Sequence, residues 1–158
     1  MSKQVFRPAR LIAVAAVWLV VAGFAYGQSN AIIDAVLDEE QISYGNAAYL
    51  VLVASERLAE SASPDDAVSE LQELGFGIAN RGASDSLTFG EYSYLLMESL
   101  DVSGGLMYRL VPGPRYAARD VAALGIAQGY TLAGMEISGD RALRMLGRAL
   151  AYQDGERL

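Results

Sequence analysis

Leu87-Thr88-Phe89-Gly90-Glu91-Tyr92-Ser93-Tyr94-Leu95-Leu96-Met97-Glu98-Ser99-Leu100 is the stretch on which the fold turns. Thr88 and Glu91 stand three apart, the spacing of a capping box in which hydroxyl and carboxylate each satisfy an amide left open at a helix N-terminus. Tyr92, Leu95, Leu96 and Leu100, with Met97 beside them, follow at helical spacing. A buried helix is therefore expected to start at this box.

Weaker copies lie on both sides. At an offset of 45 residues, Ile42-Ser43-Tyr44-Gly45 falls on Leu87-Thr88-Phe89-Gly90, and Tyr49-Leu50 on Tyr94-Leu95. At an offset of 50, Glu70-Leu71-Gln72-Glu73-Leu74-Gly75 falls on Asp120-Val121-Ala122-Ala123-Leu124-Gly125, and Leu87-Thr88 on Ile137-Ser138. The unit reads as helix, glycine stop, loop and capped helix, present about three times with a truncated first loop. Internal similarity at such a period means that neighbouring units complete one core. The expected fold is a mostly α domain of three helix-loop-helix repeats over residues 28–152, with a flexible tail over 153–158.

Outward from the repeats, Ser29 or Asn30 is placed to cap a short helix carrying Ile32, Ile33, Val36 and Leu37, which runs out at Asp38-Glu39-Glu40. Ala47 to Ala54 is apolar all round and reads as a central helix. Ser63-Pro64-Asp65-Asp66 is a strong helix start, with a cap, a proline at the first turn and carboxylates at the positive end of the dipole. That helix is expected over 64–74 and stopped by Gly75. Asp101 to Pro114 reads as a turn-rich excursion, Tyr116 to Leu124 as a helix stopped by Gly125, and Ser138 as the cap of a last helix. In this last helix Ala142, Leu143, Leu146 and Leu150 are expected to face inward.

At the N-terminus, Lys3, Arg7 and Arg10 precede the apolar run from Leu11 to Phe24 and the small residues ending at Gly27. This is the layout of a secretory signal peptide over 1–27, cut after Gly27, and the run is shorter than the roughly 20 residues that span a bilayer. Export to the periplasm or cell surface is the expectation, without a membrane span after cleavage. The chain has no Cys, so packing alone must hold it. Residues 28–158 carry nine basic against nineteen acidic side chains, a net of −10. That charge disfavours nucleic acid and anionic membrane surfaces as general partners.

With neither His nor Cys, imidazole acid/base chemistry, thiol nucleophiles and the common zinc sites are closed off. Glu39/Glu40 and Asp65/Asp66 are adjacent pairs whose side chains diverge on a helix; the first reads as a solvated helix end, the second as dipole complement. Gly75-Phe76-Gly77 with Gly82 follows a helix and lacks the Lys-Ser/Thr ending of a phosphate loop. No catalytic residue, cofactor or metal is assigned. Arg141, Arg144 and Arg148, by contrast, form one stripe at helical spacing in an acidic protein. Tyr108, Arg109, Arg115, Tyr116 and Arg119 lie in or just after a loop rich in Tyr, Arg and Pro, residue types that make rigid contacts. These eight are the candidate partner-binding residues.

The unit resembles the S-layer homology module, whose repeats pair a short helix ending near a glycine with a loop and an Ile-Thr-Arg-Ala-Glu-like start of a second helix. Leu74-Gly75-Phe76-Gly77 with Leu87-Thr88-Phe89-Gly90-Glu91, and Leu124-Gly125-Ile126-Ala127-Gln128-Gly129 with Ile137-Ser138-Gly139-Asp140-Arg141, carry the resemblance, over roughly residues 30–151. It implies a base after the hydroxyl residue that holds an anionic wall polymer; this chain has Tyr44, Phe89 and Gly139 there. The function expected is a non-enzymatic envelope or periplasmic protein binding a protein partner or a cell-wall component. The alternatives are a structural subunit of a periplasmic assembly and a small carboxylate-dependent enzyme.

Overall fold

The structure, a computed structural model, describes residues 31–155. The expected signal peptide over 1–27, its cut after Gly27 and the caps Ser29 and Asn30 lie outside the described residues, as does the end of the tail. Seven helices are described: α1 over 31–38, α2 Tyr44–Ala54, α3 Pro64–Glu73, α4 Phe89–Ser99, α5 Leu106–Leu110, α6 Pro114–Ala123 and α7 Gly139–Gln153. The domain is mostly α, and no described helix is long and apolar enough to cross a membrane.

Local chemistry sets the elements. Thr88 Oγ1 accepts from the Glu91 amide at 3.3 Å while Glu91 Oε2 accepts from the Thr88 amide at 2.8 Å, closing the capping box of α4. Ser63 and Asp66 close a second box at α3, and Ser138 caps α7 through the Arg141 amide at 3.4 Å. Gly75 and Gly125 end α3 and α6 at φ +86° and +78°, a region open chiefly to glycine. The matching is close at the hydrogen bonds too: Leu74 N to Glu70 O and Leu124 N to Asp120 O are both 2.9 Å.

Tertiary structure repeats the same numerical offsets. The N-termini of α2 and α4 lean on the loop of the next unit, α2 without a side-chain cap from Ser43: Tyr44 N donates to Asp85 O (2.7 Å) and Gly45 N to Ala83 O (2.8 Å), and likewise Phe89 N to Met135 O (2.7 Å) and Gly90 N to Ala133 O (2.8 Å). The third unit closes on the first, with Ile42 N donating to Ile137 O at 2.9 Å and Gly139 N to Glu39 O at 3.0 Å. Antiparallel bridges Ser43–Ser86 and Thr88–Glu136 mark the other two junctions. The three units therefore form a ring, with α3 packed on α2 and α6 on α4. Ile42, Leu87 and Ile137, equivalent in the three units, are all buried at its centre. Around them lie Tyr44, Tyr49, Leu52, Phe89, Tyr92, Leu95 and Leu96.

The structure differs from the sequence expectations at several places. The last helix buries Ala142, Met145, Leu146 and Ala149, whereas Leu143 and Leu150 are half-buried; the axis of α7 is turned so that Met145 faces the core. On α1 only Val36 is fully buried, and Ile33 and Leu37 are exposed, because α1 meets the core along one edge. α6 starts at Pro114 rather than Tyr116, since proline fits the first turn where no amide partner is needed. The excursion holds α5, a helix too short for periodicity to reveal. Gln153, assigned to the tail, ends α7 and donates to Leu100 O. Tyr92 is fully buried and donates to Ala142 O at 2.8 Å. Glu39 is no solvated end: it accepts from the Ser43 amide and hydroxyl, both at 3.0 Å, and from Asn46 Nδ2 at 2.9 Å. It supplies, from just past the end of α1, the carboxylate that Glu91 supplies to its own helix.

A side chain at Gly139 would meet the backbone of α1, with its Cβ 1.8 Å from Val36 O. Gly139→Ala is expected to cost about 2 kcal/mol or more in urea unfolding. Gly147, in the same helix with open space around it, sets the contrast: Gly147→Ala should stabilise by about 0.5–1 kcal/mol.

Burial raises the Glu91 carboxyl, but hydrogen bonds from Thr88 and the Arg81 guanidinium outweigh it and hold the group below its ordinary value of 4.5. A lowered folded value stabilises the fold above the unfolded value and is lost as pH falls through the folded one. Acid titration of stability should therefore show a decline below about pH 4.3 that is shallower in Glu91→Gln.

Candidate functional site

Helix α7 carries the arginine stripe because residues three and four apart share a helix face. The buried face, Ala142, Met145 and Ala149, fixes its rotation, and the stripe then looks onto the segment following the Gly125 stop. Arg141, Arg144 and Arg148 line one cleft of about 330 Å³ together with Ile126, Gln128, Gly129 and Met145. The opposing segment Gly125 to Tyr130 has no acidic side chain.

The three arginines differ in what they do. Arg141 is tied down: its guanidinium lies 4.8 Å above the Phe89 ring and donates to Gln128 O at 3.0 Å and to Tyr130 O. Burial and then the nearby Arg144 charge hold its pKa below the ordinary arginine value. Arg144 pairs with Asp140 one turn earlier at 2.5 Å, with both side chains largely in solvent, a type of pair worth little against a better ligand. Among the described residues Arg148 reaches only Gly125 O, at 3.5 Å. The cleft thus offers two guanidinium groups whose donors are mostly uncommitted, beside a third that shapes its wall.

The other five candidates are not brought into that cleft. Tyr108 is buried, and donates to Glu98 Oε1 at 2.6 Å; burial first and the Glu98 carboxylate second push its phenol far up. It anchors α5 instead of presenting itself to a partner, which corrects its assignment as a contact residue. Tyr116 is half-buried on α6 against the core. Arg109 lies beside a shallow depression lined by Glu98, Asp101 and Pro112, and Arg115 and Arg119 are exposed on α6. Arg119 approaches Asp120 at 3.8 Å. The arginines therefore form two groups, one on α7 and one around α5.

Three structural residues had no signal in the sequence. Asp120 is buried and accepts from the Gly105 amide at 2.6 Å, docking the segment before α5. Glu98 and Asp101 share the depression beside Arg109, but Glu98 is engaged by Tyr108 and Asp101 by Arg57 at 2.9 Å. Among the described residues no group of three or more acidic side chains is placed to hold a metal ion.

Because Arg141 ties the Gln128–Tyr130 segment to α7, Arg141→Ala should lower unfolding stability by about 1–2 kcal/mol. Arg144→Ala should change it by less than about 0.5 kcal/mol, an asymmetry that chemical denaturation of the two variants checks. No protein-family profile, curated protein or solved structure matches the chain.

Proposed function

We propose that the protein is exported and acts without catalysis, as an envelope or periplasmic protein that holds an acidic partner in the arginine cleft of α7. The observation that carries this reading is the gathering of Arg141, Arg144 and Arg148 in one cleft of a chain whose residues 28–158 have a net charge of −10. A planar guanidinium presents paired donors that match carboxylate and phosphate oxygens. The ligand class is an acidic cell-wall polymer or the acidic face of an envelope protein.

The resemblance to S-layer homology modules supports the same reading by a different route. Phe89 stands where that pattern has its base, yet the Arg141 guanidinium lies over the Phe89 ring. Positive charge comes to that place from the third unit instead of the second. Export rests on the basic-apolar-small order of residues 1–27.

The double variant Arg144→Gln/Arg148→Gln leaves the wall-forming Arg141 untouched. Its retention on cell-envelope preparations and on a purified anionic wall polymer should weaken about tenfold or more, with the wild-type interaction weakening as salt rises. Equal retention of the two proteins, or none by the wild type, would remove the cleft from function.

A further inference from the structure

The second arginine group lies on α5 and on α6, the helix against which α5 packs, next to a different kind of surface. Leu106, Met107, Leu110 and Val111 follow one another at i, i+1, i+4 and i+5, one face of α5 and its last turn, and all four are exposed, Leu106 by 71% and Leu110 by 67%. The opposite face is the buried Tyr108. α5 packs appreciably only against α6, so it stands at the margin of the ring with its aliphatic face outward. From Val102 to Arg119 there are three arginines, Arg109, Arg115 and Arg119, and no acidic residue.

We propose that this face is a contact for an anionic lipid surface: the aliphatic side chains of α5 enter the interfacial layer while Arg109, Arg115 and Arg119 meet the headgroups. An apolar helical face flanked by basic residues is what lies in a bilayer interface. The residue types favour lipid over protein. Strong protein-binding positions are rich in Trp, Tyr and Arg and poor in Leu and Val, and this face is aliphatic throughout, with no hydrogen-bonding group to specify a partner. Of the acidic groups nearest to it, Asp120 is buried and lies 3.8 Å from Arg119, Glu98 is half-buried under the Tyr108 hydroxyl, and Asp101 is ion-paired with Arg57. The negative charge on the rest of the molecule is screened beyond about 10 Å at ordinary ionic strength, so the local basic rim governs the approach.

The absence of cysteine makes the test direct. Full-length Leu110→Cys and Leu132→Cys are each labelled with an environment-sensitive dye. Leu132 is 67% exposed in the loop before α7 and serves as the reference. On vesicles of phosphatidylcholine with phosphatidylglycerol, the label at 110 is expected to shift to the blue and the label at 132 to stay in water. The shift should vanish with Leu106→Asp, diminish as salt rises, and require about fivefold more lipid for each of Arg109→Gln, Arg115→Gln and Arg119→Gln. The reference label separates insertion of α5 from any attachment through the apolar run Leu11 to Phe24. The same response at 110 and 132, no response at 110, or a blue shift that grows with protein concentration without lipid, as a second copy covering the face would give, overturns the proposal. Arg144→Gln/Arg148→Gln should leave the response unchanged, so failure of the cleft and failure of this face are told apart.

Discussion

Backbone pairing between units is the constraint on which the rest depends. The second helix of each unit begins at a residue whose amide is already committed to a neighbouring unit: Tyr44 to Asp85, Phe89 to Met135 and Gly139 to Glu39. A helix start has amides to spare, and here some of that surplus holds the ring together while the caps absorb the remainder. The positions of the N-termini of α2, α4 and α7 are thereby set by backbone bonds. The central residues Ile42, Leu87 and Ile137 then fall on one another, and the tyrosines of α2 and α4 fill the space between the helices.

The units are alike in backbone and unlike at the third helical position, which holds Asn46, Glu91 and Arg141 in turn. Glu91 closes its own box and is paired with Arg81 at 2.9 Å. Asn46 is served by Glu39, just past the end of α1. Arg141 reverses the arrangement, donating to the loop carbonyls of Gln128 and Tyr130. The arginine cleft is built on this reversal, since the side chain that shapes its wall occupies the place of a capping carboxylate.

Caps, stops and the repeat were legible because they are local: Thr88 with Glu91, Ser63 with Pro64, and Gly75 with Gly125 announce themselves within a few residues. The buried run of α2 was legible from its uniform apolarity. What stayed hidden depends on partners distant in sequence. Glu39 looks like any acidic helix end until Ser43 turns back onto it, and Tyr108 looks like a contact residue until Glu98 takes its hydroxyl. α5 is five residues long, below the length at which a helical period can be read, and is held by Asp120 and Glu98 instead of by its own propensity. The stripe on α7 was visible as spacing, but the cleft needed the Gly125–Tyr130 segment folded against it. Arg109, Arg115 and Arg119 were grouped with that stripe by composition, and the ring places them elsewhere.

Closure sets a number. In an open stack of repeats each unit touches only its neighbours, so units are added or lost at the ends at modest cost. Here the first and third units are neighbours through Ile42 with Ile137 and Glu39 with Gly139, 95 and 100 residues apart in sequence. A fourth unit would have nowhere to enter, and loss of one would strand two edges at once. Gene duplication can lengthen an open stack gradually, whereas the number of units in a closed ring is held by its closure.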